Sequence, residues 1–193
     1  MDFLQPLLQL DHSAIEQSAQ LRWAPATAFF AMASAAFIKG PVFVVAGFLR
    51  DLRRRMVPVT ALSVAAALLL ADLLSGAIKQ AVDRPRPPRA DPGFDAAVAV
   101  PSSPSFPSGH ATTTFACAVA IAILVPKVRW PALALAGIVG VARVYLGVHY
   151  TLDVLAGAAL GTLIGVGIAL LARRLAGDRR VAAPCASPVS QHS

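Results

Sequence analysis

Polar residues along this chain fall in short interruptions between long apolar runs, and the run lengths set the scale of the elements. Four runs reach the roughly 17 to 25 residues that a bilayer-crossing helix takes: about Val57 to Ile78, Gly109 to Pro126, Trp130 to Leu146 and Leu152 to Leu171. A fifth, Ala24 to Phe48, is interrupted at Lys39 to Pro41. It predicts either one kinked span or an interfacial helix leading into an abbreviated span, because proline removes a helical donor and lysine is costly near the midplane. The pattern predicts an all-α fold, an integral membrane helical bundle of about five to six transmembrane helices. The bundle is expected over residues 24–176, behind an amphipathic or interfacial segment at 1–23 and ahead of a disordered cytoplasmic tail at 177–193.

Composition agrees with that setting. Hydrophobic residues make up 56% of 193 positions and charged residues 14%, with mean hydropathy +0.65, more apolar than a soluble core requires. The net charge of +7 gathers in short runs at the ends of apolar segments, which points to membrane topology and excludes a nucleic-acid surface. Arg50, Arg53, Arg54 and Arg55, then Lys127 and Arg129, then Arg173, Arg174, Arg179 and Arg180 all fall on one side of five spans. The positive-inside rule makes that side cytoplasmic and puts the 80–107 connection outside with the turn at Gly147 to Thr151. Cys117 lies in an apolar run and Cys185 in the polar tail, which offers neither a disulfide framework nor zinc spacing. The first residues lack a basic stretch before an apolar one, so no cleavable signal peptide is expected.

The unusual residues lie on the two outer connections. Lys79, Arg86 and Pro87 stand as K-x6-R-P at the end of one span, an ammonium and a planar fork suited to a tetrahedral dianion. A lysine that only snorkels beside solvated arginines also fits, and Arg84-Pro85 is a competing register. The connection that follows is rich in proline and is expected to be extended. Pro107-Ser108-Gly109-His110 closes it. Ser108 sits at an N-cap position, Gly109 permits close backbone approach, and the free N–H groups of the first turn attract anions. A capped helix with an interfacial histidine fits equally. Arg143, His149 and Asp153 form the third group. Asp153 can reach back to His149, fixing the tautomer that leaves a nucleophilic lone pair, while Gly147 can break the helix between Arg143 and His149. A buried Arg143–Asp153 ion pair joining two helices is the competing account.

Taken together, K-x6-R-P, P-S-G-H and R-x5-H-x3-D resemble the signature of the type 2 phosphatidic acid phosphatase superfamily, over Lys79 to Asp153 and on through the last span. The chain departs from it at Ala142, where that signature usually has serine. The resemblance implies a phosphatase or diphosphatase of membrane lipids that requires no metal or other cofactor. It implies His149 as nucleophile, Asp153 as its orienter and His110 as general acid and base. It also implies that Lys79, Arg86, Ser108, Gly109 and Arg143 hold the phosphoryl group. The partner implied is a phosphorylated membrane lipid, of polyprenyl diphosphate, phosphatidate or phosphatidylglycerol phosphate type, met on the outer face of a bacterial plasma membrane. Oligomeric state has no signature in the sequence. A non-catalytic transporter or scaffold that binds phosphate or anionic lipid is the alternative, although simple anion binding needs neither histidine nor Asp153.

Overall fold

The computed structural model describes residues 5–36, 38–54 and 58–181. Arg55, Val57 and the tail from 182 onward, Cys185 included, lie outside the described residues, as do the side chains of Arg179 and Arg180. Among the described residues eight α-helices follow in order: α1 (Gln5–Gln20), α2 (Ala24–Ala33), α3 (Pro41–Arg53), α4 (Val59–Val82), α5 (Pro87–Ala90), α6 (Gly109–Leu124), α7 (Arg129–Tyr145) and α8 (Thr151–Val181). A single 3-10 turn at Pro126–Val128 joins α6 to α7. No strand occurs among the described residues.

Three segments, Val59–Ala90, Pro126–Tyr145 and Thr151–Leu175, are long and apolar enough to cross a bilayer, and Ala24–Ala33 and Gly109–Leu124 are shorter apolar helices. The Ala24 to Phe48 run is observed as two separate helices, α2 and the start of α3. Pro41 starts α3 as an N1 proline, and the break is tied to the bundle by Thr114, whose hydroxyl donates to the Lys39 carbonyl at 2.9 Å. Lys39 itself meets Asp72 of α4 at 2.8 Å, so the expensive cation carries its own counter-charge.

The bundle is built around α6, which packs on α8, α4 and α7. Residues Ala111 to Thr114 and Ala116 to Ala118 are almost wholly buried, as a helix apolar on all sides must be. Its threonines are satisfied locally: Thr112 Oγ1 donates to the Ser108 carbonyl at 2.9 Å and Thr113 Oγ1 to the Gly109 carbonyl at 2.8 Å. In α4 the buried positions Ala61, Val64, Ala67, Ala71 and Ser75 form one helical stripe, and Leu62, Leu69 and Leu73 point outward. Leu155 and Leu163 of α8 are exposed in the same way. This arrangement, with small residues inside and leucine outside, is that of helices associating in lipid, where close packing replaces the hydrophobic drive.

Gly157, Gly161 and Gly165 carry the α8–α6 contact. A Cβ at Gly157 would lie 2.7 Å from the Ser108 carbonyl oxygen, and one at Gly165 would lie 2.6 Å from that of Ala116. This small-x3-small stripe sets how far the first turn of α6 stands from the first turn of α8. The basic ends of α3 and of the α6–α7 connection meet at the other end of the bundle. There Arg50, Arg53, Arg54 and Lys127 border a cavity of about 700 Å³ between α3, α6 and α7, and no candidate site residue lines it.

Candidate active site

Four local devices bring the candidate residues to one end of the bundle. Asp83 takes a left-handed conformation, φ 45°, at the end of α4, and Pro85, Pro87 and Pro88 forbid the helix to continue. Lys79 therefore stays on the last helical turn, and Arg84 and Arg86 follow on extended chain. Ser108 caps α6, its Oγ accepting from the Ala111 N–H at 3.5 Å. Gly147, φ 73°, ends α7 as expected. A Cβ there would lie 2.8 Å from the Phe94 ring, so only glycine suits both the angle and the space. Finally, Asp153 in the first turn of α8 accepts from the Tyr150 N–H at 3.0 Å, the reach-back of a capping box. His149 precedes this helix, so the cap geometry and not a shared helical face brings Asp153 beside it.

His149 is 1% exposed. Its Nδ1 lies 3.5 Å from Asp153 Oδ2 and its Nε2 lies 3.0 Å from Arg86 Nη1. A guanidinium can only donate, so Nε2 is the accepting nitrogen and the ring proton sits on Nδ1, toward the carboxylate. That tautomer presents a lone pair on Nε2. Burial is the main cause that holds the His149 pKa down at about 3, with Arg86 and Arg143 adding to the effect and Asp153 opposing it. The ring is therefore neutral at physiological pH.

The cations differ in how they are satisfied. Lys79 Nζ donates to the Pro104 carbonyl at 2.6 Å and more distantly to that of Ser105. Arg86, 3% exposed, donates to the Ser103 carbonyl and the Val148 carbonyl, each at 2.8 Å. These contacts fold the 80–107 connection back over the site. It is thus anchored by its own arginines, with the short helix α5 inside it, where the sequence predicts only extended chain. Arg143 is 5% exposed and makes no ion pair among the described residues, and its buried Nε has no hydrogen-bond partner there. The competing account of an Arg143–Asp153 pair is not what is observed. Asp153 pairs with Arg84 at 2.7 Å. An unpaired buried guanidinium is costly unless an anion meets it, and Arg143, Arg86 and Lys79 lie within electrostatic reach of one another.

His110 lies on the first turn of α6, hydrogen-bonded to the Ser34 backbone and within electrostatic reach of His149 and Arg143. Ser108 is fully buried, and its N–H donates to the Asp153 carbonyl at 2.9 Å. Gly109 packs on Lys79, whose Cε would be 3.8 Å from a Cβ there. All eight candidates thus come from the ends of four helices, α4, α6, α7 and α8, with Arg86 on the connection after α4 and His149 in the turn before α8.

Sequence reasoning missed two contributors. Ser105, fully buried, donates a short hydrogen bond to Asp153 Oδ2 and lies 3.4 Å from His149 Nδ1. It belongs to a serine- and proline-rich stretch with no periodicity, so nothing local sets it apart. Arg84, which the sequence offers only as a competing register, is a separate group that faces Asp153. Arg84 also pairs with Asp11 of α1 at 2.8 Å, so Lys79, Arg84, Arg86 and Arg143 against Asp11 and Asp153 leave the cluster two positive charges in surplus, about what a phosphate monoester dianion balances.

The PAP2 superfamily model matches residues 60–176, and the chain belongs to that superfamily. It is 39% identical over 104 residues to the decaprenylphosphoryl-5-phosphoribose phosphatase of Mycobacterium tuberculosis, over 52% of this chain and 54% of that one. To the lipid A 1-phosphatase of Rhizobium etli it is 39% identical over 98 residues, 49% of this chain and 42% of the relative. The chain spans about half the length of these curated relatives. The crystal structure of the PAP2-type phosphatidylglycerolphosphate phosphatase from Bacillus subtilis superposes with a TM-score of 0.74 at 23% identity over 90% of each chain. Aquifex aeolicus LpxE superposes with a TM-score of 0.65 at 24% identity, over 82% of this chain and 94% of that one. Both share the fold.

Proposed function

We propose that this protein is a membrane lipid phosphatase that hydrolyses a phosphomonoester or diphosphate headgroup through a phosphohistidine. The observation that carries the reading is His149, buried and neutral, with its lone pair on Nε2 and Asp153 behind Nδ1. In the first step Nε2 bonds to phosphorus as the bond to the leaving oxygen breaks. That oxygen keeps the electron pair, and protonated His110 supplies its proton. In the second step neutral His110 takes a proton from water as the water oxygen attacks phosphorus. The N–P bond then breaks, its electron pair returns to Nε2, and inorganic phosphate departs. Arg143, Lys79 and Arg86 hold the equatorial oxygens with the Ser108 hydroxyl and the Gly109 N–H, where charge builds in the transition state. The charge surplus supports an anionic substrate, and Asp153, the only carboxylate beside the nucleophile among the described residues, is already engaged by Arg84, Ser105 and the Tyr150 N–H.

Phosphatases of polyprenyl and lipid A phosphates among the relatives support a lipid substrate of this kind. Arg50, Arg53, Arg54 and Lys127 gather at the opposite end of the bundle. By the positive-inside rule this supports a site on the extracytoplasmic face of a bacterial plasma membrane. Residues 24–176 then form the catalytic domain, with 1–23 along the interface and 177–193 as a cytoplasmic tail.

The test is phosphate release by purified protein from matched polyprenyl diphosphate, phosphatidate and phosphatidylglycerol phosphate. His149→Ala is expected to abolish release and to leave no acid-labile label on the chain, whereas wild type carries label on His149. Wild-type turnover by His149→Ala would refute the mechanism. Retained binding of these lipids with no release by the wild type would make the protein a carrier or scaffold.

A further inference from the structure

Asp11 is a buried carboxylate, 2% exposed, on a helix that lies before the residues matched by the superfamily model. Its two oxygens reach the catalytic end by separate routes. Oδ2 accepts from Arg84 Nη2 at 2.8 Å, and Oδ1 accepts from the Leu152 N–H at 3.0 Å. The other arm of the same guanidinium, Nη1, donates to Asp153 Oδ1 at 2.7 Å. The guanidinium plane is steadied by Tyr150, with Cζ 3.9 Å from the ring centroid. Arg84 thus forks between one carboxylate that faces His149 and another that comes from the N-terminal helix.

Two physical consequences follow. The first turn of α8 has free N–H groups that the chain just before it leaves without a side-chain acceptor, and Asp11 supplies one from a distant helix at Leu152, next to Asp153. Asp153 also keeps Oδ2 for Ser105, the Tyr150 N–H and His149 because Arg84 occupies Oδ1. An arginine between two buried carboxylates is geometrically fixed, since each bidentate arm has its own acceptor.

We infer that Asp11, acting through Arg84, is a positioning residue of the active site: the Asp11–Arg84–Asp153 chain sets the carboxylate that orients His149, which makes α1 part of the catalytic unit. This rests on His149 being the nucleophile. Asp11→Asn removes the charge that holds Arg84 while keeping an acceptor for Leu152. Arg84→Lys keeps the charge but loses the fork.

Each variant of the full chain is expected to lower kcat about tenfold and to leave KM within about twofold, because neither residue touches the substrate. The double variant is expected to be no slower than the worse single one, since both cut the same chain. Rates are taken per phosphohistidine-forming molecule, so that a purely structural role would lower the fraction of active protein and the melting temperature but not the rate per site. Asp11→Glu, with the carboxylate kept, is expected to recover part of the lost rate. Wild-type kcat per site in Asp11→Asn, or in Arg84→Lys should the first variant not fold, overturns the proposal. So do losses that multiply in the double variant. His149→Ala is run beside them. If it is active the underlying mechanism falls, whereas if it is dead and Asp11→Asn matches wild type, only the positioning role falls.

Discussion

Replacing Gly157 by alanine tests whether the distance between α6 and α8 controls the chemistry. The added Cβ would sit 2.7 Å from the Ser108 carbonyl oxygen, 3.0 Å from Thr112 Oγ1 and 3.2 Å from the Ala111 Cβ. The oxygen belongs to backbone and cannot swing away. Ordinary contact begins at 3.4 Å, so the two first turns must separate by about 0.7 Å, and forcing a methyl into such a packed contact costs about 1–3 kcal/mol. The displaced segment carries Ser108, whose N–H bonds the Asp153 carbonyl at 2.9 Å. The turn proposed to hold phosphate then moves relative to His149. A misplacement of about 1 Å can cost about a hundredfold in rate, so a fall in kcat of at least about tenfold is expected with a lower melting temperature. Gly167→Ala, on the same helix with nothing within 4 Å of its Cβ, is the control. It is expected to be neutral or to stabilise by about 0.5–1 kcal/mol through helix propensity. The two proteins would be compared by thermal melting in detergent and by steady-state phosphate release. Equal behaviour of Gly157→Ala and Gly167→Ala would refute the close approach.

Two further outcomes are expected. Ser105→Ala removes a hydrogen bond to a charged partner, worth about 1.5–3 kcal/mol, and is expected to lower kcat at least about tenfold at near-constant KM, so unchanged kcat would remove Ser105 from the site. For His149 the folded pKa of about 3 lies below the ordinary 6.5. Above pH 6.5 the folded and unfolded chains both hold it neutral. Between 6.5 and about 3 only the unfolded chain takes the proton, so stability falls as pH falls, by at most about 1.4 kcal/mol per pH unit. Melting temperature between pH 8 and pH 5 is expected to drop more in wild type than in His149→Gln, and equal slopes would contradict the buried neutral imidazole.

The helical bundle was legible because lipid leaves so few options. Uninterrupted apolar runs can only be helices, and the Gly147 break and the Ser108 cap follow from backbone rules that act over four or five residues. The cation and histidine positions were legible for a related reason, since such side chains stand out against an apolar background. Ser105 and Asp11 were not. Each works through contacts that span a long stretch of sequence, 48 residues from Ser105 to Asp153 and 73 from Asp11 to Arg84, and no local pattern encodes that. Arg84 was visible as a residue but not as a role, because a loop arginine declares its partner only once the chain has folded. The glycine stripe on α8 was not read as a helix contact, because its four-residue spacing does not say which helix approaches it.

Arg86 holds the His149 lone pair while also satisfied by the Val148 and Ser103 carbonyls. Under the proposed reaction, an entering phosphate must exchange with these partners, so the headgroup gains less from binding than the number of cations suggests. Leaving inorganic phosphate would meet the same competition from the protein's own carbonyls. Residence at the site would then be governed by the part of the substrate that stays in the bilayer. A lipid keeps its local concentration after each release, whereas a water-soluble phosphate ester diffuses away, so the proposed site would favour membrane-borne substrates without any pocket that reads the headgroup.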